Sequence, residues 1–139
     1  MLAAGPAAGV LTPGSHGTTF GGGPLVCAAG LAVLDALESE NLLDNAHTVG
    51  AHLKEALAGE LAGTPGVADI RGRGLMLGIE LARPCGILAL RAMEAGLLIN
   101  VTRDRVIRML PPLILNREEA DQIVAILVPL IREFLAEQP

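Results

Sequence analysis

Two apolar segments on either side of Gly72-Arg73-Gly74 constrain the fold of this chain more than any other feature. The segments, residues 67–71 and 75–81, have the length of short strands. A glycine-rich turn between two such strands is typical of a β-hairpin. The sequence therefore predicts an antiparallel pair of strands near the middle of the chain.

The segments around the hairpin predict helices and a second pair of strands. Apolar residues recur at helical spacing along residues 41–61, and Asn116 with Glu119 three residues later resembles a capping box. The predicted helices cover residues 24–37, 41–61, 87–95 and a final segment after Asn116, and the additional strands cover residues 97–102 and 106–110. This order predicts a small α+β domain with a mostly antiparallel sheet and helices on one face.

The predicted helix that starts at Pro24 is apolar on nearly every side. Proline suits the first turn of a helix, and an all-apolar helix is normally buried. We therefore expect this helix to lie inside the protein, with Cys27 as a small core residue.

Composition excludes several classes of function. The chain of 139 residues has a net charge of −5 and no basic patch, so we expect no nucleic-acid partner. Asp35 and Glu38 interrupt the best apolar run before it reaches the ~20 residues of a membrane span, so we expect no membrane partner. Two isolated cysteines and the lack of a signal peptide indicate a cytoplasmic location.

The loop at residues 14–25 has the composition of a phosphate-binding site. Its glycines allow backbone N–H groups to approach an anion, Thr18 and Thr19 supply hydroxyl groups, and the following helix adds its positive end. The loop lacks the Gly-Lys-Ser/Thr of the nucleotide-binding P-loop. The alternative is that the two threonines only complete a turn and cap the helix.

The same loop resembles a known family. Its sequence HGTTFGGGPLVCAA, residues 16–29, is similar to the HG(S/T)TFGGNPLACA segment of class III pyridoxal-phosphate-dependent aminotransferases, and within them to the acetylornithine aminotransferases. The similarity continues in family order through RGRGLMLGIEL (residues 71–81), AGLLINVT (residues 95–102) and VIRMLPPL (residues 106–113).

The resemblance assigns roles to three residues. It implies that Thr19 holds the phosphate of pyridoxal 5'-phosphate from across a dimer interface, that Thr18 touches the substrate, and that Arg108 binds a substrate carboxylate. Apart from the resemblance, Arg108 in an apolar strand needs a carboxylate partner, or it is an edge-strand residue that points to water. Gly23 replaces the usual asparagine of the family and makes the loop more flexible.

The resemblance also implies a domain organisation. Residues 1–23 correspond to an arm and phosphate loop from the end of the large domain, residues 24–61 to connecting helices, and residues 62–139 to the small carboxy-terminal domain of a fold-type I pyridoxal-phosphate enzyme. The Schiff-base lysine of the family lies upstream of the threonine loop. Lys54, the only lysine here, matches no family position and is expected on the surface, so this chain alone should contain no catalytic residue and be inactive.

The implied activity is amino transfer between N-acetylornithine and 2-oxoglutarate, for arginine biosynthesis, in a homodimer of the full enzyme. Ornithine and succinyldiaminopimelate remain open as substrates. A different class of function is a non-catalytic assembly module that joins a lysine-bearing large domain, and a third possibility is a truncated product without a role. No metal site is expected, because His47 and His52 diverge on a helix, and Arg71 and Arg73 are expected to be solvated or bonded to carbonyl groups.

Overall fold

The computed structural model describes residues 4–10, 12, 14, 15 and 17–137, so His16 and part of the predicted arm lie outside the described residues. The chain divides into two compact units, Met1–Ser39 and Glu40–Pro139. The helices are a 3₁₀ helix at Gly5–Gly9, α1 at Pro24–Ser39, α2 at Leu42–Glu60, α3 at Ile87–Glu94 and α4 at Arg117–Ala136. The strands are β1 at Val67–Arg73, β2 at Met76–Leu81, β3 at Asn100–Thr102 and β4 at Val106–Met109. The domain boundaries after residues 23 and 61 stay a prediction.

The first unit contains the glycine-rich loop and α1, which begins at Pro24 as predicted. No residue of α1 is buried, and Leu25, Leu31 and Leu34 are 83%, 61% and 57% exposed. The prediction of a buried helix is therefore wrong for this chain, and Cys27 is exposed as well. The physical reason is that the described part of this unit contains no second α-helix or strand that could cover α1.

In the second unit, β1 and β2 form the predicted hairpin. Ile70 pairs with Ile79 and Arg73 pairs with Met76, so Gly72 and Arg73 continue the strand instead of forming the turn. The turn itself is Gly74 and Leu75, with Gly74 in the left-handed region at φ 54°, where the lack of a Cβ removes the steric cost. Strand β4 pairs antiparallel with both β2 and β3, so the sheet order is β1-β2-β4-β3.

The core lies on one face of this sheet. Alternate residues of the two central strands are almost fully buried, because successive side chains of a strand point to opposite faces. Helices α2 and α4 pack against each other and supply much of the rest of the core, and Leu88 of α3 and Cys85 before it contribute to it. The most completely buried side chains are Leu53, Leu57, Leu77, Ile79, Leu81, Cys85, Leu88, Ile107, Leu127 and Ile131. The predicted α+β class, with helices on one face of an antiparallel sheet, is confirmed.

Helix α4 begins with the predicted capping box. The Asn116 side chain accepts a hydrogen bond from the Glu119 backbone N–H at 2.9 Å, and Glu119 Oε2 accepts one from the Asn116 N–H, also at 2.9 Å. Both bonds satisfy donors that the first turn of a helix leaves free. The helix then continues through Pro129 to Ala136.

Candidate functional site

The threonine loop and the start of α1 line an open pocket of about 590 Å³. Its lining is formed by residues 19–26. Gly22 adopts φ 81°, and the Gly23 N–H donates to the Phe20 carbonyl at 3.4 Å, which closes a turn directly before the helix. A glycine at position 22 is needed because other residues rarely adopt this conformation.

Thr18 and Thr19 are exposed. Among the residues that the structure describes, neither hydroxyl makes a hydrogen bond, and neither threonine caps α1, which begins at Pro24. A Cβ at position 21 would collide with Cγ2 of Thr18, so the glycine leaves room for the threonine side chain. The backbone N–H groups of Leu25 and Val26 have no acceptor within the helix, because they belong to its first turn. The loop thus offers hydroxyl and N–H donors to an anion.

Arg108 lies in the second unit, on the face of the sheet that the helices leave open. Its strand, β4, runs between β2 and β3, so the alternative of an edge-strand arginine does not hold. Arg108 pairs in register with Gly78 of β2 and with Asn100 of β3, and Gly78 in turn pairs with Arg71 of β1. These four residues form one row across the open face, with the exposed Arg108 between two uncharged neighbours.

A network of ion pairs lies beside this row and is formed by Asp69, Arg71, Glu80 and Arg105. Arg71 Nη1 donates to Asp69 Oδ2 and to Glu80 Oε2, both at 2.8 Å, and these hydrogen bonds raise the pKa of the Arg71 guanidinium. Arg105 Nε lies 3.6 Å from the other oxygen of Glu80. Arg71 is exposed, in line with the expected solvation, but its hydrogen-bond partners are carboxylates and not the carbonyl groups that were the alternative. The cause is the strand register, which brings Asp69 and Glu80 alongside each other.

Arg108 makes no ion pair with any residue of the described ranges. Glu80 is the acidic residue diagonal to it on β2, and both of its carboxylate oxygens are already approached by Arg71 and Arg105. The network therefore leaves the Arg108 guanidinium available to an external anion.

Sequence reasoning missed the two neighbours of Arg108. Gly78 and Asn100 lie inside the predicted strands at residues 75–81 and 97–102, and no sequence pattern singled out either residue as functional. Because successive side chains of a strand point to opposite faces, the sequence pattern could have assigned Gly78 and Asn100 to the polar faces of their strands. The pairing of β2 with β4, which brings Gly78 beside Arg108, joins segments far apart in the chain and has no local signal.

The histidines and cysteines do not form a metal site in the described part of the chain, where no group of three or more His, Cys, Asp or Glu side chains could hold an ion. His52 Nε2 lies 2.6 Å from Asp121 Oδ1 of α4, whereas His47 lies on a different side of α2 and lines a pocket next to the hairpin. None of the described helices has the length and apolar character of a membrane-spanning segment.

Comparison with known proteins identifies the family of this chain. Residues 2–131 match the family model for class III aminotransferases. The chain is 80% identical over 99% of its length to acetylornithine aminotransferase 1 of Bordetella pertussis, and 46% identical over 96% to the acetylornithine aminotransferase of Nitrosomonas europaea. It spans 35% and 34% of the length of these relatives.

Solved structures agree with this result. The ornithine aminotransferase of Toxoplasma gondii matches 95% of this chain, and the chain covers 32% of that structure, at 36% identity and a TM-score of 0.82. The acetylornithine aminotransferase of Elizabethkingia anophelis matches 92%, with 33% of that structure covered, at 34% identity and a TM-score of 0.79. The chain belongs to the class III aminotransferase family.

Proposed function

We propose that this chain provides the cofactor-phosphate loop and the carboxylate-binding arginine of an acetylornithine aminotransferase, which transfers the amino group of N-acetylornithine to 2-oxoglutarate. One observation carries the proposal: Arg108 stands without an ion pair among the described residues, while Arg71 and Arg105 already engage Glu80. A carboxylate can therefore bind Arg108 without breaking an internal ion pair. The 80% identity to the Bordetella pertussis enzyme supports the choice of amino donor.

The neighbours of Arg108 suit a planar carboxylate. A guanidinium can donate two parallel hydrogen bonds to one carboxylate. On the β2 side, Gly78 has no side chain that could cover Arg108. On the β3 side, Asn100 is directly opposite Arg108. Directly opposite residues of antiparallel strands have Cβ atoms about 5 Å apart. We assign Arg108 to the carboxylate of 2-oxoglutarate or glutamate and Asn100 to a supporting amide N–H.

The threonine loop fits the phosphate group of pyridoxal 5'-phosphate. Thr18 and Thr19 have hydroxyl groups without partners in the described structure, and the first turn of α1 adds free N–H groups and the positive end of the helix dipole. Thr19 would hold the phosphate, and Thr18 would touch the substrate. When bound, the cofactor supplies an electron-withdrawing ring that stabilises negative charge on the amino-acid carbon.

The proposal extends to the assembly and location of the enzyme. In line with the family resemblance, Thr19 would reach the cofactor site of a second subunit in a cytoplasmic homodimer. Lys54 is the only lysine, and it lies on α2, outside the threonine loop. We therefore expect the chain alone to bind the cofactor weakly and to be catalytically inactive.

The function is tested by a chimera. This chain replaces the corresponding third of the Bordetella pertussis acetylornithine aminotransferase 1, and amino transfer from N-acetylornithine, ornithine and succinyldiaminopimelate is measured. We expect the highest kcat/KM with N-acetylornithine. An inactive but folded chimera, or a preference for another donor, would contradict the proposal. Sedimentation of the same chimera tests the dimer.

The role of Arg108 is tested in that chimera by Arg108→Gln. Losing a charge-assisted hydrogen bond costs about 1.5–3 kcal/mol, so the KM for 2-oxoglutarate should rise by about tenfold or more. Arg117→Gln is the matched control, because Arg117 is also exposed and forms no ion pair within the described structure. An unchanged KM in Arg108→Gln would remove Arg108 from the carboxylate site.

The phosphate loop is tested in the chain itself by absorbance titration with pyridoxal 5'-phosphate, followed by borohydride reduction and intact-mass analysis. We expect weak binding that Thr19→Ala abolishes and that Thr48→Ala, an exposed change on α2, leaves intact. An imine band that responds to glutamate before reduction, together with a borohydride-reduced adduct on Lys54, would show that the chain carries its own chemistry, against the proposal.

A second candidate is a non-catalytic assembly module, and the exposed apolar side chains of α1 favour it. A helix with Leu25, Leu31 and Leu34 in water is stabilised when a partner surface covers it. Co-expression with a lysine-bearing aminotransferase chain should then yield a stable complex, which Leu31→Gln weakens. A chain that stays monomeric in the presence of that partner would exclude this candidate.

A further inference from the structure

The β1–β2 hairpin contains three glycines, and the fold explains only two of them. A Cβ on Gly72 would collide with the Leu77 side chain and with the Met76 carbonyl oxygen. Gly74 adopts the positive φ that the turn requires. Gly78 lies inside β2, between β1 and β4, and neither of these constraints applies to it.

The fold has room for a side chain at position 78. Apart from the adjacent residues of the chain, only two atoms of the described residues lie within 4 Å of the Cβ position, Val106 Cγ1 at 3.5 Å and the Ile107 carbonyl oxygen at 3.9 Å. The register is regular at Gly78 in both strand pairs. A glycine inside a strand weakens it, and it often marks a bulge or the close approach of a ligand or another chain. Because no bulge occurs here, close approach is the explanation that remains.

Arg108 indicates which kind of group approaches Gly78. The two residues are directly opposite each other on β4 and β2, so both belong to the open face of the sheet. Arg108 makes no ion pair within the described ranges. An uncharged protein segment over Gly78 would take this guanidinium out of water without a counter-charge, which is costly. A carboxylate supplies the counter-charge and accepts two parallel hydrogen bonds.

The residues on either side of Gly78 along β2 suit a carboxylate that is attached to a carbon chain. Strand alternation places Met76 and Glu80 on the same face as Gly78. Met76 is apolar and 55% exposed, whereas Glu80 is acidic and pairs with Arg71 and Arg105. The carbon chain can therefore lie against Met76, away from the negative charge of Glu80.

We propose that Gly78 is a specificity-determining residue that controls the access of the amino acceptor, 2-oxoglutarate, to Arg108. The absent side chain leaves the space over β2 in which the acceptor carboxylate lies, and a larger residue holds that carboxylate away from the guanidinium. Gly78 acts by leaving room and takes no part in the chemical step. This inference rests on the proposed aminotransferase activity and on the carboxylate role of Arg108.

The test uses the chimera with the Bordetella pertussis enzyme. We expect Gly78→Val to raise the KM for 2-oxoglutarate about tenfold, which corresponds to the loss of one charge-assisted hydrogen bond. Gly78→Ala should raise this KM less, and kcat should stay nearly unchanged in both variants. Thr102→Val is the matched control, because Thr102 lies on the open face opposite Val106, outside the row of Arg108.

Two further measurements separate this role from a purely structural one. In urea unfolding, the isolated chain with Gly78→Ala or Gly78→Val should be at least as stable as the unchanged chain, because the fold has room for a Cβ and glycine weakens a strand. In the Arg108→Gln chimera, Gly78→Val should raise the KM for 2-oxoglutarate no further, because both changes act on one contact.

Three results would overturn this inference and leave the aminotransferase proposal standing: an unchanged KM in Gly78→Val, additive effects of Gly78→Val and Arg108→Gln, or an equal rise in Thr102→Val. A Gly78→Val change that destabilises the chimera but not the isolated chain would also overturn it, because a protein segment would then cover Gly78. A folded but inactive unchanged chimera would overturn the aminotransferase proposal and this inference with it.

Discussion

Gly50 of α2 lies directly against Gly74 in the turn of the β1–β2 hairpin. A Cβ on Gly50 would lie 3.0 Å from the Gly74 Cα and closer still to its carbonyl group. Backbone atoms cannot rotate away as the end of a flexible side chain can. The contact therefore sets how closely the helix approaches the hairpin.

We expect Gly50→Ala to lower the free energy of unfolding by about 1–3 kcal/mol, because overpacking forces the hairpin away from the helix. Gly59→Ala in the same helix is the control, since nothing lies within 4 Å of its Cβ position. That change should be neutral or stabilising by up to about 1 kcal/mol. Urea unfolding followed by circular dichroism compares the two, and equal stability of both variants would refute the packing argument.

The capping box of α4 predicts that Asn116→Ala lowers the free energy of unfolding by about 0.5–2 kcal/mol. The change removes the acceptor for the Glu119 N–H. Asn116→Asp keeps an acceptor at the same place and should cost far less. Urea unfolding distinguishes the two variants, and an Asn116→Ala protein as stable as Asn116→Asp would mean that the cap is not needed.

The two cysteines should react at different rates with iodoacetamide. Cys85 is fully buried, and burial raises the pKa of its thiol, so less of the reactive thiolate is present at neutral pH. Cys27 is exposed. We expect Cys85 to react at least about tenfold more slowly than Cys27 in the folded protein. Mass spectrometry of Cys27→Ser, with and without urea, measures this rate, and rapid labelling of Cys85 without urea would contradict its burial.

The stability of the carboxy-terminal end of α4 should depend on pH through Glu137, the residue that follows the helix. Arg91 Nη1 donates to Glu137 Oε1 at 2.6 Å, and this hydrogen bond lowers the pKa of the Glu137 carboxyl. A lowered pKa in the folded state means that the pair stabilises the fold above the pKa of the unfolded carboxyl. This stabilisation is lost as the pH falls through the lower, folded value.

Carboxyl NMR titration checks this pair. The midpoint for Glu137 should lie below that of an ordinary glutamate, and Arg91→Gln should move it upwards, whereas Arg117→Gln should leave it in place. The effect on stability should be small, because both side chains are partly exposed. A Glu137 midpoint that does not respond to Arg91→Gln would show that the pair is absent in solution.

The sequence by itself determined the features that depend on neighbouring residues. The hairpin, the helix start at Pro24 and the capping box of Asn116 and Glu119 follow from local turn geometry and hydrogen bonding, and the structure confirms them. The motifs around Thr19 and Arg108 likewise indicated the family that the comparisons confirm, while the roles of both residues stay predictions.

The tertiary structure alone decided what depends on surfaces that meet across the chain. The apolar sequence of α1 predicted a buried helix, but the helix is exposed. An apolar pattern indicates that a helix should pack against another surface, but it does not show whether the same unit contains that surface. The pairing of β2 with β4 placed Gly78 beside Arg108, and the packing of α2 on the hairpin placed Gly50 against the backbone of Gly74. Strand register and helix packing are set by the combined burial of many distant residues, so no local pattern records them.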